Sequence, residues 1–90
     1  MNPKEKIDSL RDKIDYLDNQ ILDFLLKRFS ISKQIGEIKA SNNIKIHDPN
    51  REKEIIEHLA NKLDGKLNKE DIASIFDPVY KISKKFQKNK

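Results

Sequence analysis

Apolar side chains recur at two fixed positions of every seven along the first 40 residues. Written as a heptad, one position reads Ile7, Ile14, Ile21, Arg28, Ile35 and the other Leu10, Leu17, Phe24, Ile31, Ile38, nine apolar residues out of ten. The period is helical and predicts one long amphipathic helix from about Pro3 to Ala40, with Pro3 suited to its first turn. At about 1.5 Å per residue that helix is about 55 Å long. Gly36 weakens it by about 1 kcal/mol relative to alanine, which either a close backbone approach or a tolerated defect would explain. Ser41-Asn42-Asn43 ends the period, and Ile44 to His47 reads as a short extended connector.

Asp48-Pro49 is a cap followed by proline at a first helical position, so a second helix is expected over about 49–63, carrying Ile55, Ile56, Leu59 and Leu63 to a stop at Asp64-Gly65. Asn68 with Asp71 resembles a capping pair for a third helix, about 69–87, with the stripe Ile72, Ile75, Phe76, Val79, Ile82, Phe86. Pro78 falls inside that stripe, where it removes a backbone hydrogen bond; a kink near Ser74 to Pro78 is expected, one that leaves Ser83 and Gln87 on the working face. Alternation of strand type never exceeds four residues. The expected fold is all-α, with three helices per chain in one domain over residues 1–90. Because two short helices cannot cover so long a seam, two chains are expected to interleave as an intertwined antiparallel homodimer.

Composition narrows the class. Ninety residues, 36% hydrophobic and 38% charged, suit a soluble helical protein with a thin core of its own. There is no cysteine, so disulfides and thiolate metal sites are excluded, and two isolated histidines do not make a metal centre. The charged start at Met1 to Lys6 lacks the apolar core of a signal peptide, and no stretch suits a membrane span, so the chain reads as cytoplasmic. The net charge of +4 lies mostly in the five lysines beyond Asp77. That cluster reads as a solvated tail; nucleic-acid binding would call for basic residues along a face.

Arg28 breaks the seam. A permanent charge in a row built for burial is unfavourable by several kcal/mol unless an anion meets it, supplied by the chain or by a ligand. Lys39 points the same way, about 20° round the helix and about 16 Å further along. Arg11 flanks the same seam but lies about 26 Å from Arg28 along the axis, too far to share a small ligand within one helix. An antiparallel partner with its two-fold near Ile21 and Leu22 brings the partner's Arg11 to the stretch between Arg28 and Lys39.

Ser83 and Gln87 lie one turn apart on helix 3, and a neutral amide there could bond a ligand oxygen without adding charge; both also suit an ordinary surface near a helix end. Asp48, Arg51 and Glu52 crowd the start of helix 2, where capping alone accounts for Asp48 and solvated ion pairs would account for Arg51 and Glu52. His47, His58, Tyr16 and Tyr80 have no partner pattern. No nucleophile with a base and no phosphate loop is present.

Taken in order, Leu10-Arg11-Asp12-Lys13-Ile14-Asp15 with Leu17-Asp18, Leu25-Leu26-Lys27-Arg28, Ile35-Gly36-Glu37-Ile38-Lys39, Asp48-Pro49-Asn50-Arg51-Glu52, and Ile75-Phe76 leading to Ser83 and Gln87 resemble the all-α chorismate mutases over essentially the whole chain. Those are small intertwined dimers that convert chorismate to prephenate on the shikimate pathway to phenylalanine and tyrosine. The resemblance implies that Arg28 and the partner's Arg11 bind the substrate's carboxylates, with Ser83 and Arg51 assisting. Lys39 would contact a carboxylate and the ether oxygen, Gln87 would donate to that oxygen from the other side, and Glu52 with the backbone near Asp48 would hold the ring hydroxyl. Lys39, Gln87 and Arg28 are thus the expected catalytic residues, without cofactor or metal. The partners expected are a small dianionic substrate and a second copy of the chain, without nucleic acid or membrane. Two alternatives stay open: a lyase of the same fold releasing pyruvate from isochorismate, and a non-catalytic helical dimerisation module. The end at Lys90 fits a standalone enzyme or a module of a larger one.

Overall fold

A computed structural model describes residues 2–88, which form three helices and no strand. The remaining positions of the expected 1–90 domain, Met1, Asn89 and Lys90, lie outside the described residues. α1 spans Pro3–Ser41, α2 Pro49–Leu63 and α3 Lys69–Lys88. Each start is capped by a side chain that takes up a backbone N–H the first turn leaves free. Asn2 Oδ1 accepts from the Glu5 N–H at 2.8 Å, Asp48 Oδ1 from Arg51 at 3.1 Å, and Asn68 Oδ1 from Asp71 at 2.7 Å. Pro3 and Pro49 occupy first helical positions, where no N–H is needed.

The stops are equally local. Asn43 takes a left-handed conformation (φ 54°), and the Ile44 N–H returns to the Lys39 carbonyl at 2.9 Å. Asp64 (φ 45°) and Gly65 (φ 84°) end α2 in the same way. α3 runs unbroken through Pro78 and carries Ser83 and Gln87 beyond it.

α3 packs on both other helices, whereas α1 and α2 do not pack on each other. The core is small: Phe29 from α1 and Ile72, Val79 and Tyr80 from α3, with Ser32 and Ser83 buried among them. No residue of α2 is fully buried. The face of α1 that meets α3 is not the heptad seam. It carries Phe29, Ser32 and Gly36, turned about 70° from Arg28 at about 100° per residue. Two of those three are small, so the helices approach closely. A Cβ added at Gly36 would stand 2.5 Å from Gln87 Cα and 2.8 Å from its carbonyl carbon, so the close approach, not a tolerated defect, accounts for the glycine. Beside it, the rings of Phe29 and Phe86 stack at 5.3 Å.

The stripe expected on α3 is likewise divided. Ile72 and Val79 face inward, but Tyr80 and Ser83 are buried while Ile75 and Ile82 are exposed. One helix here serves two neighbours, and only one flank of its apolar face is used within the chain. The seam of α1 is open throughout, from Ile7 and Leu10 through Phe24, which is 66% exposed. The radius of gyration is 17.2 Å, against about 12 Å for a compact chain of this length. The accessible surface is 7599 Å², against about 5,500 Å² for a folded monomer of this mass.

Ile72, 1% exposed, anchors α3 in this small core. Ile72→Ala is expected to destabilise the protein by about 2–5 kcal/mol, through lost transfer energy and an unfilled cavity. Urea denaturation checks this; a loss below about 1 kcal/mol would place the core elsewhere.

Candidate active site

A cavity of about 420 Å³ opens between α1 and α2 with α3 as its floor. α1 contributes Arg28, Ile31, Ser32, Ile35 and Lys39, and α2 contributes Arg51, Glu52 and Ile55. Asp48, the α2 cap, stands at its edge. From α3 come Tyr80, Ser83, Lys84 and Gln87, spaced three, one and three residues apart and therefore on one helical face.

Arg28 and Lys39 are held by neutral groups. The Arg28 guanidinium donates from Nη1 to Ser83 Oγ and sits over the Tyr80 ring, 5.5 Å from its centroid. Lys39 Nζ donates to the Ile46 carbonyl at 3.1 Å, tying the end of α1 to the connector. Among the described residues no carboxylate lies within ion-pairing distance of either cation; the pairs present join Arg11 to Asp8, His47 and Lys84 to Glu52, and Arg51 to Glu54. Both cations are partly buried, so their charge acts at lower dielectric than that of a solvated side chain.

The opposite wall carries the acids. Glu52 Oε2 lies 3.3 Å from Lys84 Nζ and 3.6 Å from His47 Nε2, with the Glu52 side chain 25% exposed. Two polar atoms at the site are buried without a partner among the described residues: the Tyr80 hydroxyl and Gln87 Oε1. Burial pushes the Tyr80 phenol above its ordinary value of 10.0, with Arg28 opposing and Glu52 and Asp77 reinforcing the shift. No group of three His, Asp or Glu side chains among the described residues is placed to hold a metal ion. Likewise, no helix among them is long and apolar enough to cross a membrane.

Comparison with known proteins decides the family. The sequence profile of the chorismate mutase type II family matches residues 10–88. This chain belongs to that family. It is 42% identical over 72 residues to the bifunctional chorismate mutase/prephenate dehydratase of Aquifex aeolicus, an alignment covering 80% of this chain and 18% of that one. It is 44% identical over 55 residues to the chorismate mutase of Methanocaldococcus jannaschii, covering 61% of this chain and 56% of that one. The chain therefore spans about half of one of these relatives and under a fifth of the other. Among solved structures, the chorismate mutase of Helicobacter pylori in complex with prephenate superposes with a TM-score of 0.86 at 39% identity, covering 94% of this chain and 92% of that one.

Of the eight site residues expected in this family member, the fold brings seven together around one cavity: Arg28, Lys39, Asp48, Arg51, Glu52, Ser83 and Gln87. Arg11 is not among them; it is exposed on the first half of α1, with Nη1 3.9 Å from Asp8. Lys84 and Tyr80, on the same face of α3, line the cavity without having been anticipated as site residues. Lys84 follows Ser83 directly and would have been found by extending the Ser83 and Gln87 face back by whole turns, which also reaches Tyr80. The ring of Tyr80 is both core and cavity wall.

The raised phenol pKa has a stability consequence. Its contribution is fully present below pH 10.0 and is lost as pH rises from there through the higher folded value, because the unfolded phenol ionises first. Relative to Tyr80→Phe, the wild-type chain is expected to lose stability above pH 10, a difference read from urea denaturation between pH 7 and pH 11. Parallel curves would show that the phenol is not held in its neutral form.

Proposed function

We propose that this chain is a chorismate mutase, rearranging chorismate to prephenate in aromatic amino acid biosynthesis, and that it works in the cytoplasm as an intertwined antiparallel homodimer. Residues 1–90 would form one catalytic helical unit, alone or within a longer enzyme. One observation carries the reading: Arg28 and Lys39 face a cavity with no carboxylate partner among the described residues. Four cations against two carboxylates leave that cavity at +2. The partner's Arg11 would raise it further. Chorismate is a dianion, and the prephenate complex of the Helicobacter pylori relative supports the same substrate class.

The reaction breaks one ether C–O bond and forms one C–C bond inside a single molecule. Electrons move in a ring, and no atom enters or leaves, so neither nucleophile nor base nor cofactor is called for. What the substrate lacks is conformation: its enolpyruvyl arm must fold over the ring, and fixing that geometry removes much of the barrier. Arg28 and the partner's Arg11 would clamp the two carboxylates, with Ser83 and Arg51 assisting. Glu52, with the backbone at Asp48, would hold the ring hydroxyl. Lys84, beside Glu52, keeps that carboxylate placed.

As the C–O bond lengthens ahead of C–C closure, negative charge gathers on the ether oxygen. Lys39 on one side and the Gln87 amide on the other would meet it with donors already in position, favouring that state over the ground state. The open α1 seam and the excess surface support the dimer, since burying the seam is what a second chain would accomplish. Antiparallel pairing near Ile21 and Leu22 would carry each Arg11 into the other chain's cavity.

Purified protein is expected to consume chorismate and produce prephenate; release of pyruvate from isochorismate as the dominant activity would make it the lyase instead. Mixing an Arg11→Ala chain with an Arg28→Ala chain should regenerate one intact site per heterodimer, whereas each variant alone stays inactive. Heterodimers verified by mass and still inactive would remove the shared site.

Gln87→Glu should confine activity to acidic pH, because only the protonated acid can donate to the ether oxygen. A pH–rate profile identical to wild type would mean that residue 87 does not touch that atom.

A further inference from the structure

We infer that Gly36 is a positioning residue of the mutase site: the absence of a side chain there sets how closely Gln87 stands to Lys39. This rests on the proposed mutase reading and deepens it. Gly36 is buried on α1, one turn before Lys39. The atoms that a Cβ would meet are the Gln87 carbonyl oxygen, Gln87 Cα, at 2.5 Å, and the Gln87 carbonyl carbon, at 2.8 Å. Carbon atoms in contact sit about 3.5–4.0 Å apart, so a methyl group would drive the two helices apart there by about 1 Å. All three atoms are helix backbone, and no side-chain rotation can relieve the overlap.

That displacement is not shared evenly over the site. One turn earlier on α3, Ser83 is bound by the Arg28 guanidinium, and between them Phe86 stacks on Phe29. These contacts hold α3 to α1 as a pivot, and Gln87, one turn beyond Ser83 on α3, lies past that pivot and takes up the displacement. Gln87 Oε1 is enclosed, with no hydrogen-bond partner among the described residues to pull the amide back into place. Lys39 stays where α1 and the Ile46 carbonyl hold it. The two donors proposed to flank the ether oxygen therefore separate, while the carboxylate-binding Arg28 is undisturbed.

The test is a double-mutant cycle on the full dimeric chain: wild type, Gly36→Ala, Gln87→Ala and the double variant, with kcat and KM for chorismate measured for each and folding checked by circular dichroism and dimer mass. Gly36→Ala is expected to lower kcat by about 10- to 100-fold, as a misplacement of about 1 Å does, and to change KM little. In the Gln87→Ala background the same substitution should have almost no further effect, because the amide it displaces is gone. Equal losses in both backgrounds, or a loss confined to KM, would overturn the role of Gly36 and leave the mutase reading intact; a wild-type chain inert on chorismate would overturn the reading itself. Should Gly36→Ala not fold, a crystal structure of the wild-type dimer with a bicyclic ether diacid that mimics the folded substrate decides. Contact between Gly36 and the Gln87 backbone, with Lys39 and the Gln87 amide on either side of the ether oxygen, supports the inference, and room for a methyl group between those backbones overturns it.

Discussion

The bond from Arg28 to Ser83 is the constraint on which the rest depends. It joins the two helices that make up most of the core, and it does so with a charged group whose compensation among the described residues is only a hydroxyl and the face of the Tyr80 ring. Neutral partners orient a guanidinium without cancelling its charge. The same contact that fixes α3 against α1 therefore keeps a cation aimed at the cavity, and Lys39, bound to a carbonyl, is treated in the same way. By contrast, the cation beside Glu52 is neutralised. The cavity is thus polarised: open positive charge along α1, paired charge along α2.

A fold this thin stands on small residues. Ser32 and Gly36 let α3 approach α1 closely enough for Phe29 and Phe86 to stack and for Ser83 to meet Arg28. Bulky residues at those two positions would bury more apolar area but would widen the helix spacing and lose the polar contact. The remaining apolar surface of α1 is left over, in an amount far beyond what a stable monomer of this size exposes. That open seam is the surface the proposed second chain would cover.

Much of the fold was legible in the residues because its punctuation is local. Asp48-Pro49, Asn68 with Asp71, and Asp64-Gly65 act on their immediate neighbours, so their chemistry could be read without knowing what the helices touch. The face of α1 that meets α3 was not legible. Amphipathic reading gives weight to large side chains, and the strongest stripe was the Ile and Leu seam; the contact actually made relies on a serine and a glycine, which carry almost no apolar signal. The site divides in the same manner. Arg28 and Lys39 stood out because charge interrupts an apolar row, whereas Tyr80 passed for core and Lys84 for one more lysine of a basic tail until α3 turned both toward the cavity.

α2 is fastened differently from its neighbours. It buries no residue completely, makes no close backbone approach to α1, and packs its backbone against α3. Local opening begins where buried contacts are fewest, so this segment should detach well before the α1–α3 pair does. Arg51 and Glu52 would leave with it, and the molecule would then be a half-shell: the cation row in place, the acidic wall gone. A guest spanning both sides would act as a clasp, drawing a loosely hung helix shut by touching charges on either rim.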